Sequence, residues 1–180
     1  METAVITFGR FNPPTIGHQK LVDKVKQIAS EVSGVPMVFL SHTQDNKSNP
    51  LDYNAKYFFA RKAFGDVVKY SEHRTIFDVL KELQNCYDKV ILVVGSDRVS
   101  DFETILDKYN GKDYDFGSVD VVSAGQRDEL SDEIDGVSGT KMRAYALSNN
   151  VDAFRSYLPD NVKMHTDHIM NLVRKGMNHE

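Results

Sequence analysis

Two short stretches far apart in the chain carry the residue types that hold phosphate. The first reads Gly9-Arg10-Phe11-Asn12-Pro13-Pro14-Thr15-Ile16-Gly17-His18. Its glycines let the backbone come close to an anion and Pro13-Pro14 stiffen the turn. A helix starting just behind it would offer free N–H groups and the positive end of its dipole. A histidine in that first turn is an odd structural choice, because the helix N-terminus disfavours imidazolium, yet a ring there can donate a hydrogen bond to bound phosphate. The bland alternative for His18 is a helix-start residue packed against the loop. The second stretch, Val137-Ser138-Gly139-Thr140-Lys141-Met142-Arg143, places two hydroxyls, a glycine and two cations at another helix start. Ser138 suits an N-cap. Arg143 lies about one and a half turns further on, where a guanidinium reaches a phosphate held at the helix mouth.

Groups like these need strand ends and helix starts to hold them. Apolar, β-rich runs at 4–8, 36–40, 66–70, 90–94 and 119–122 each adjoin a helical pattern, the signature of parallel βαβ units. The expected fold is α/β: a Rossmann-like, doubly wound, five-stranded parallel sheet with C-terminal helices, and with ligands at the carboxyl ends of its strands. The first helix should start near Ile16 and carry Leu21, Val22, Val25, Ile28, Ala29 and Val32 on one stripe. Further helices are expected over 52–63, over 75–85 with Ile76, Phe77, Val79, Leu80 and Leu83 apolar, and over 97–109. An acidic segment, 128–135, reads as a solvated loop able to close over substrate. A helical pattern then runs from Ser138 to the end, broken at Pro159. No repeat or low-complexity linker divides the chain, so one domain is expected over 1–180, its core about 1–146 and its helical appendage about 147–180.

Composition excludes several classes. At 180 residues, 41% hydrophobic and 27% charged with 11 Gly and 5 Pro, the chain is neither disordered nor fibrous. Lys and Arg number 22 against 26 Asp and Glu, a formal charge of −4, which disfavours general nucleic-acid binding. The apolar runs are too short to span a bilayer and no basic leader precedes one. The single cysteine, Cys86, has no internal disulfide partner and is expected to pack within a helical stretch. Together these features point to a cytoplasmic protein that does not bind membranes, with homo-oligomer formation left open.

Other strand-end residues are candidates too. Lys47, Lys56 and Arg127 can each clamp phosphate or simply face solvent, and Arg127 adjoins the Ser138 helix. In Gly95-Ser96-Asp97-Arg98 the polar residues can read a ligand or cap the next helix. His165 and His168 share a helix face, but no third ligand follows and the apolar neighbours argue packing rather than a metal. Tyr57, Phe58, Phe59 and Phe64 read as core, with Tyr53 the exception. The chain has neither G-x-G-x-x-G nor G-x-x-x-x-G-K-(S/T), which weakens dehydrogenase and P-loop readings.

Taken together, Thr15-Ile16-Gly17-His18 and Val137-Ser138-Gly139-Thr140-Lys141-Met142-Arg143 resemble the paired signatures of the nucleotidylyltransferase superfamily, (H/T)-x-G-H and an I-S-S-T-x-x-R-like motif. With its Gly9-Arg10-Phe11 opening the chain is most similar to short, archaeal-type nicotinamide-nucleotide adenylyltransferases and their viral relatives. The resemblance implies transfer of AMP from ATP to a phosphate monoester, nicotinamide mononucleotide first, with release of pyrophosphate and with Mg2+ accompanying ATP. By the same resemblance His18 contacts the α-phosphate, Thr15 touches the triphosphate, Arg10 and Arg143 hold its phosphates, and Ser138 with Thr140 caps the β and γ groups. Gly9, Phe11, Gly17 and Arg127 would complete the nucleotide site, and Gly95, Ser96, Asp97, Arg98 and Lys47 the acceptor site. Thr15, in place of the first histidine, leaves the acceptor open. The alternatives are another acceptor such as phosphopantetheine, a cytidylyltransferase, and a nucleotide-binding module without turnover.

Overall fold

The computed structural model describes residues 2–124 and 138–178. Four strands, β1 (Thr3–Gly9), β2 (Val35–Leu40), β3 (Lys89–Val94) and β4 (Ser118–Ser123), form one sheet in the order β2-β1-β3-β4. β3 runs parallel to both neighbours, with Val5 opposite Ile91 and Leu92 opposite Val121. Side chains alternate across a strand, and here both faces are covered. Ala4, Ile6, Val90, Leu92 and Val94 enter one cluster with Met37, Phe39 and the Val79 and Leu80 of α3 (Ile76–Leu83). Val5 and Val93 face the other way, against Val25, Ile28 and Ala29 of α1 (Ile16–Val32). Continuous apolar runs, rather than alternating ones, are what a sheet buried on two faces requires.

By its internal contacts the chain divides into two compact units, residues 1–8, 20–39 and 71–127, and residues 9–19, 40–70 and 128–180. The first holds most of the sheet and of α1, with α3 and α4 (Val99–Tyr109). The second holds the loop after β1, the first turn of α1, α2 (Tyr53–Phe64), and, at the end of the chain, α5 (Ser138–Leu147), α6 (Val151–Ser156) and α7 (Thr166–Gly176). α7 buries Thr166, Ile169, Met170 and Val173 on one stripe. At its end Gly176 lies against Pro50, so closely that a Cβ there would stand 2.0 Å from the Pro50 carbonyl oxygen. No helix among the described residues is long and apolar enough to cross a membrane.

Several expectations are corrected. The run 66–70 is not a strand: Gly65, at φ 86, ends α2 and opens a 3-10 turn over Gly65–Val67. Asp66 pairs with Arg61 at 2.9 Å, while Val67 and Val68 are buried beside it. Two adjacent valines record burial, which a packed turn at Val67 and a single β-bridge at Val68 satisfy as well as a strand does. The sheet therefore has four strands among the described residues, not five. Helices start where capping chemistry allows: Asp52 accepts from the Ala55 N–H at 2.8 Å and Thr75 from that of Asp78 at 3.2 Å. Neither Ser96 nor Asp97 caps α4, because a 3-10 turn, Ser96–Arg98, intervenes and Arg98 stands at the cap position without a side-chain bond. Cys86 is exposed on the turn after α3 rather than packed, and Val32 and Phe58 are exposed rather than buried.

Candidate active site

The loop after β1 is built around one ring stack. Phe11 is fully buried, takes a left-handed φ of 49°, and lies 4.3 Å from the His18 ring at an interplanar angle of 17°. Gly9 makes room for it: a Cβ at Gly9 would stand 2.6 Å from Phe11 Cε1. The absent side chain thus admits a supporting ring, where sequence reasoning had assigned the space to an anion. The left-handed conformation strains a non-glycine residue by about 1–3 kcal/mol and persists only when packing over-determines it; the stack and the edge-on contact with Phe64 supply that packing.

His18 is also oriented by hydrogen bonds. The Thr15 N–H donates to Nδ1 at 3.0 Å, and Thr15 Oγ1 lies 3.2 Å from the same nitrogen. A backbone N–H can only donate, so Nδ1 is the acceptor and the proton of the neutral ring resides on Nε2. The imidazole is thereby set as an Nε2 donor at the start of α1. Thr15 and Gly17 are buried in the same turn, and the first N–H of the helix, on Ile16, donates to the Tyr157 carbonyl at 2.9 Å.

The segment between β2 and α2 supports both motifs within the second unit. Asn12 makes a reciprocal amide clamp on Leu51, with Nδ2 donating to its carbonyl at 3.1 Å and Oδ1 accepting from its N–H at 2.8 Å. The Ser41 N–H donates to the Gly9 carbonyl at 2.8 Å. Lys56, fully buried, donates from Nζ to the Ser41 carbonyl at 2.5 Å and to its hydroxyl at 3.1 Å. Asp45 closes a turn by accepting the N–H groups of Lys47, Ser48 and Asn49 and the Asn49 amide. These bonds, led by that of the Asn49 side chain, hold its carboxyl far below the usual range. From α5, Arg143 donates Nη1 to the Ser48 carbonyl at 3.1 Å and Nη2 to Thr140 Oγ1 at 3.3 Å. Gly139 leaves the guanidinium its space, since a Cβ there would stand 3.3 Å from Nη1.

Cations gather here. Burial lowers the pKa of Arg143, and the charge of Arg10 lowers it further against the opposing pull of Asp45. Burial and then Arg10 pull Lys56 down to about 8. Where like charges disfavour one another in this way, a bound anion relieves them.

Of the expected site residues, Gly9, Arg10, Phe11, Thr15, Gly17, His18, Thr140 and Arg143 all belong to the second unit, as does Lys47, which is exposed on the Asp45 turn. Ser138 opens α5. Arg127 and the acidic run 128–135 lie outside the described residues. Gly95, Ser96, Asp97 and Arg98 follow β3 in the first unit, with Arg98 stacked 5.5 Å from the Phe102 ring. No group of three His, Cys, Asp or Glu among the described residues could hold a metal ion, and His165 and His168 pack their rings on Phe59. Tyr53 stacks on His42 at 3.8 Å. Sequence reasoning missed Asn12 and Ser41, whose partners are remote in the chain. Asp45 it could have found, because Asp-Asn-Lys-Ser-Asn is an Asx-turn pattern.

Residues 6–145 match the model of the cytidylyltransferase-like family. None of the curated proteins matches. Among solved structures, Plasmodium falciparum nicotinic acid mononucleotide adenylyltransferase complexed with APC is similar at 16% identity and a TM-score of 0.60, over 96% of this chain and 98% of that one. The same enzyme complexed with NaAD gives 15% identity and a TM-score of 0.59 over the same shares. A Vibrio parahaemolyticus protein provisionally assigned as a nicotinate-nucleotide adenylyltransferase gives 17% and 0.55 over 92% of this chain and 99% of that one. At these identities the likeness is one of fold.

Proposed function

The chain belongs to the cytidylyltransferase-like family, and on that premise we propose that it transfers AMP from ATP to a phosphate monoester, nicotinamide mononucleotide in the first place. An acceptor phosphate oxygen, already ionised near neutral pH, attacks the α-phosphorus. A new P–O bond forms there as the bond to the bridging oxygen of the β-phosphate breaks, and pyrophosphate leaves. Negative charge then concentrates on the α-phosphate and the leaving group, so the protein's task is positioning and neutralisation. His18, donating from Nε2, contacts the α-phosphate, and Phe11 and Thr15 hold it in place. Arg10 and Arg143 hold the polyphosphate; Thr140 and Ser138 cap its far end, with Gly17 completing the nucleotide site. Lys47 takes the acceptor phosphate. Magnesium enters as part of the substrate, bound to ATP.

The observation that carries this reading is that both signature segments, remote in the chain, fall in one compact unit, where Arg143 donates to the Ser48 carbonyl and to Thr140. An imidazole donor oriented at a helix start belongs to the same unit. Incubation with ATP or CTP and magnesium against a panel of phosphate monoesters, with pyrophosphate as the readout, tests it. Release is expected with ATP and nicotinamide mononucleotide. Turnover of nicotinic acid mononucleotide, the substrate class named for the Plasmodium neighbour, or of phosphopantetheine, would move the acceptor. Turnover with CTP alone would change the donor, and nucleotide binding without release would make the protein a binding module.

A further inference from the structure

We propose that Lys56 is a positioning residue for the polyphosphate cradle, acting through Ser41 and Gly9 on Arg10; this rests on the function proposed above. Its ammonium, carried on the capped helix α2, is fully buried and gives hydrogen bonds to both the carbonyl and the hydroxyl of Ser41. Ser41 is itself buried, and its N–H holds the carbonyl of Gly9, the residue before Arg10. Three hydrogen bonds, making two links in series, therefore connect the Lys56 side chain on α2 to the main chain that presents an exposed guanidinium.

Packing alone gives no reason for the ammonium. A methionine would fill similar space without desolvating a charge, and no ion pair among the described residues includes Lys56. Arg10 adds repulsion, which together with burial weakens the hold of Lys56 on its proton. A charge kept in so unfavourable a place fits a role in which its donors fix a neighbour's geometry. Displacing a catalytic group by about 1 Å can cost on the order of 100-fold, and the Gly9 carbonyl is one bond from the residue that must not drift.

The test is a double-mutant cycle on the full chain, read as the Kd for inorganic tripolyphosphate by titration calorimetry, with circular dichroism and thermal unfolding to verify folding. Lys56→Met is expected to weaken binding about ten-fold in the native background but less than about three-fold in an Arg10→Ala background, because coupled residues are non-additive. Lys56→Gln, which keeps a donor for the Ser41 carbonyl and drops the charge, should recover much of the loss. Equal losses in both backgrounds, or Lys56→Gln binding as weakly as Lys56→Met, overturns the positioning role. If Lys56→Met does not fold, Lys56→Ala takes its place in the cycle, and an additive loss overturns the proposal equally. If the unaltered protein does not bind tripolyphosphate, the proposed function fails, and the positioning role with it. Binding by the unaltered protein that Lys56→Met leaves intact removes the positioning role alone.

Discussion

His18 owes its setting to its neighbours: the Thr15 N–H decides which nitrogen carries the proton and the Phe11 ring decides the plane. His18→Ala should lower the rate of pyrophosphate release about 10²–10³-fold, the usual loss for one preorganised donor, with an unchanged circular dichroism spectrum. Loss of the fold instead would make His18 a structural residue. Asn12 is bound differently. Truncating it to Ala leaves the buried N–H and carbonyl of Leu51 without their partners, so urea denaturation should show a loss of about 2–4 kcal/mol. His18, Thr15 and Arg143 stood out in the sequence because their types and spacing resemble a paired signature. Asn12 did not, since an amide between Phe11 and Pro13 looks the same whether it faces solvent or clamps a residue far down the chain.

At the scale of elements, α2 carries a pH dependence. Lys56 has a pKa of about 8 in the fold against 10.5 for an unhindered lysine. Between those values the unfolded chain binds a proton that the folded one does not, so stability rises as pH climbs from about 8 to about 10.5. Below pH 8 the folded protein bears the full penalty, on the order of 3 kcal/mol. Denaturation midpoints over that range should show the rise in the native protein and a flatter profile in Lys56→Met; parallel profiles would contradict it. The same region holds the clearest misreading. Hydrophobic periodicity revealed α1 and α3, whose stripes are buried except at positions such as Val32, but Val67 ends a 3-10 turn and Val68, extended, makes only a single β-bridge. What decides there is Gly65 at φ 86 and the Arg61–Asp66 pair, and periodicity registers neither.

For the whole molecule, the gathered cations predict how the fold answers its ligand. Tripolyphosphate at about 100 times its Kd should add about 2.7 kcal/mol of stability by mass action, a rise in Tm of roughly 5–10 °C for a chain of this size. Differential scanning calorimetry checks this, and added salt should shrink the shift by screening the contacts. The α/β class and the covered sheet were legible from the continuous apolar strands. That α7 belongs to the unit carrying both signatures was not: its apolar stripe shows that the helix must be buried without saying against what.

The contact between Gly176 and Pro50 gives that helix a practical meaning. Pro50 adjoins the turn that bears Lys47 and the clamp that tethers Asn12, so whatever pulls on the end of that helix tugs at the loops proposed to hold the polyphosphate. A purification handle or surface tether is therefore better spaced away from Met177 by a limp, glycine-rich spacer than grafted there as a stiff rod.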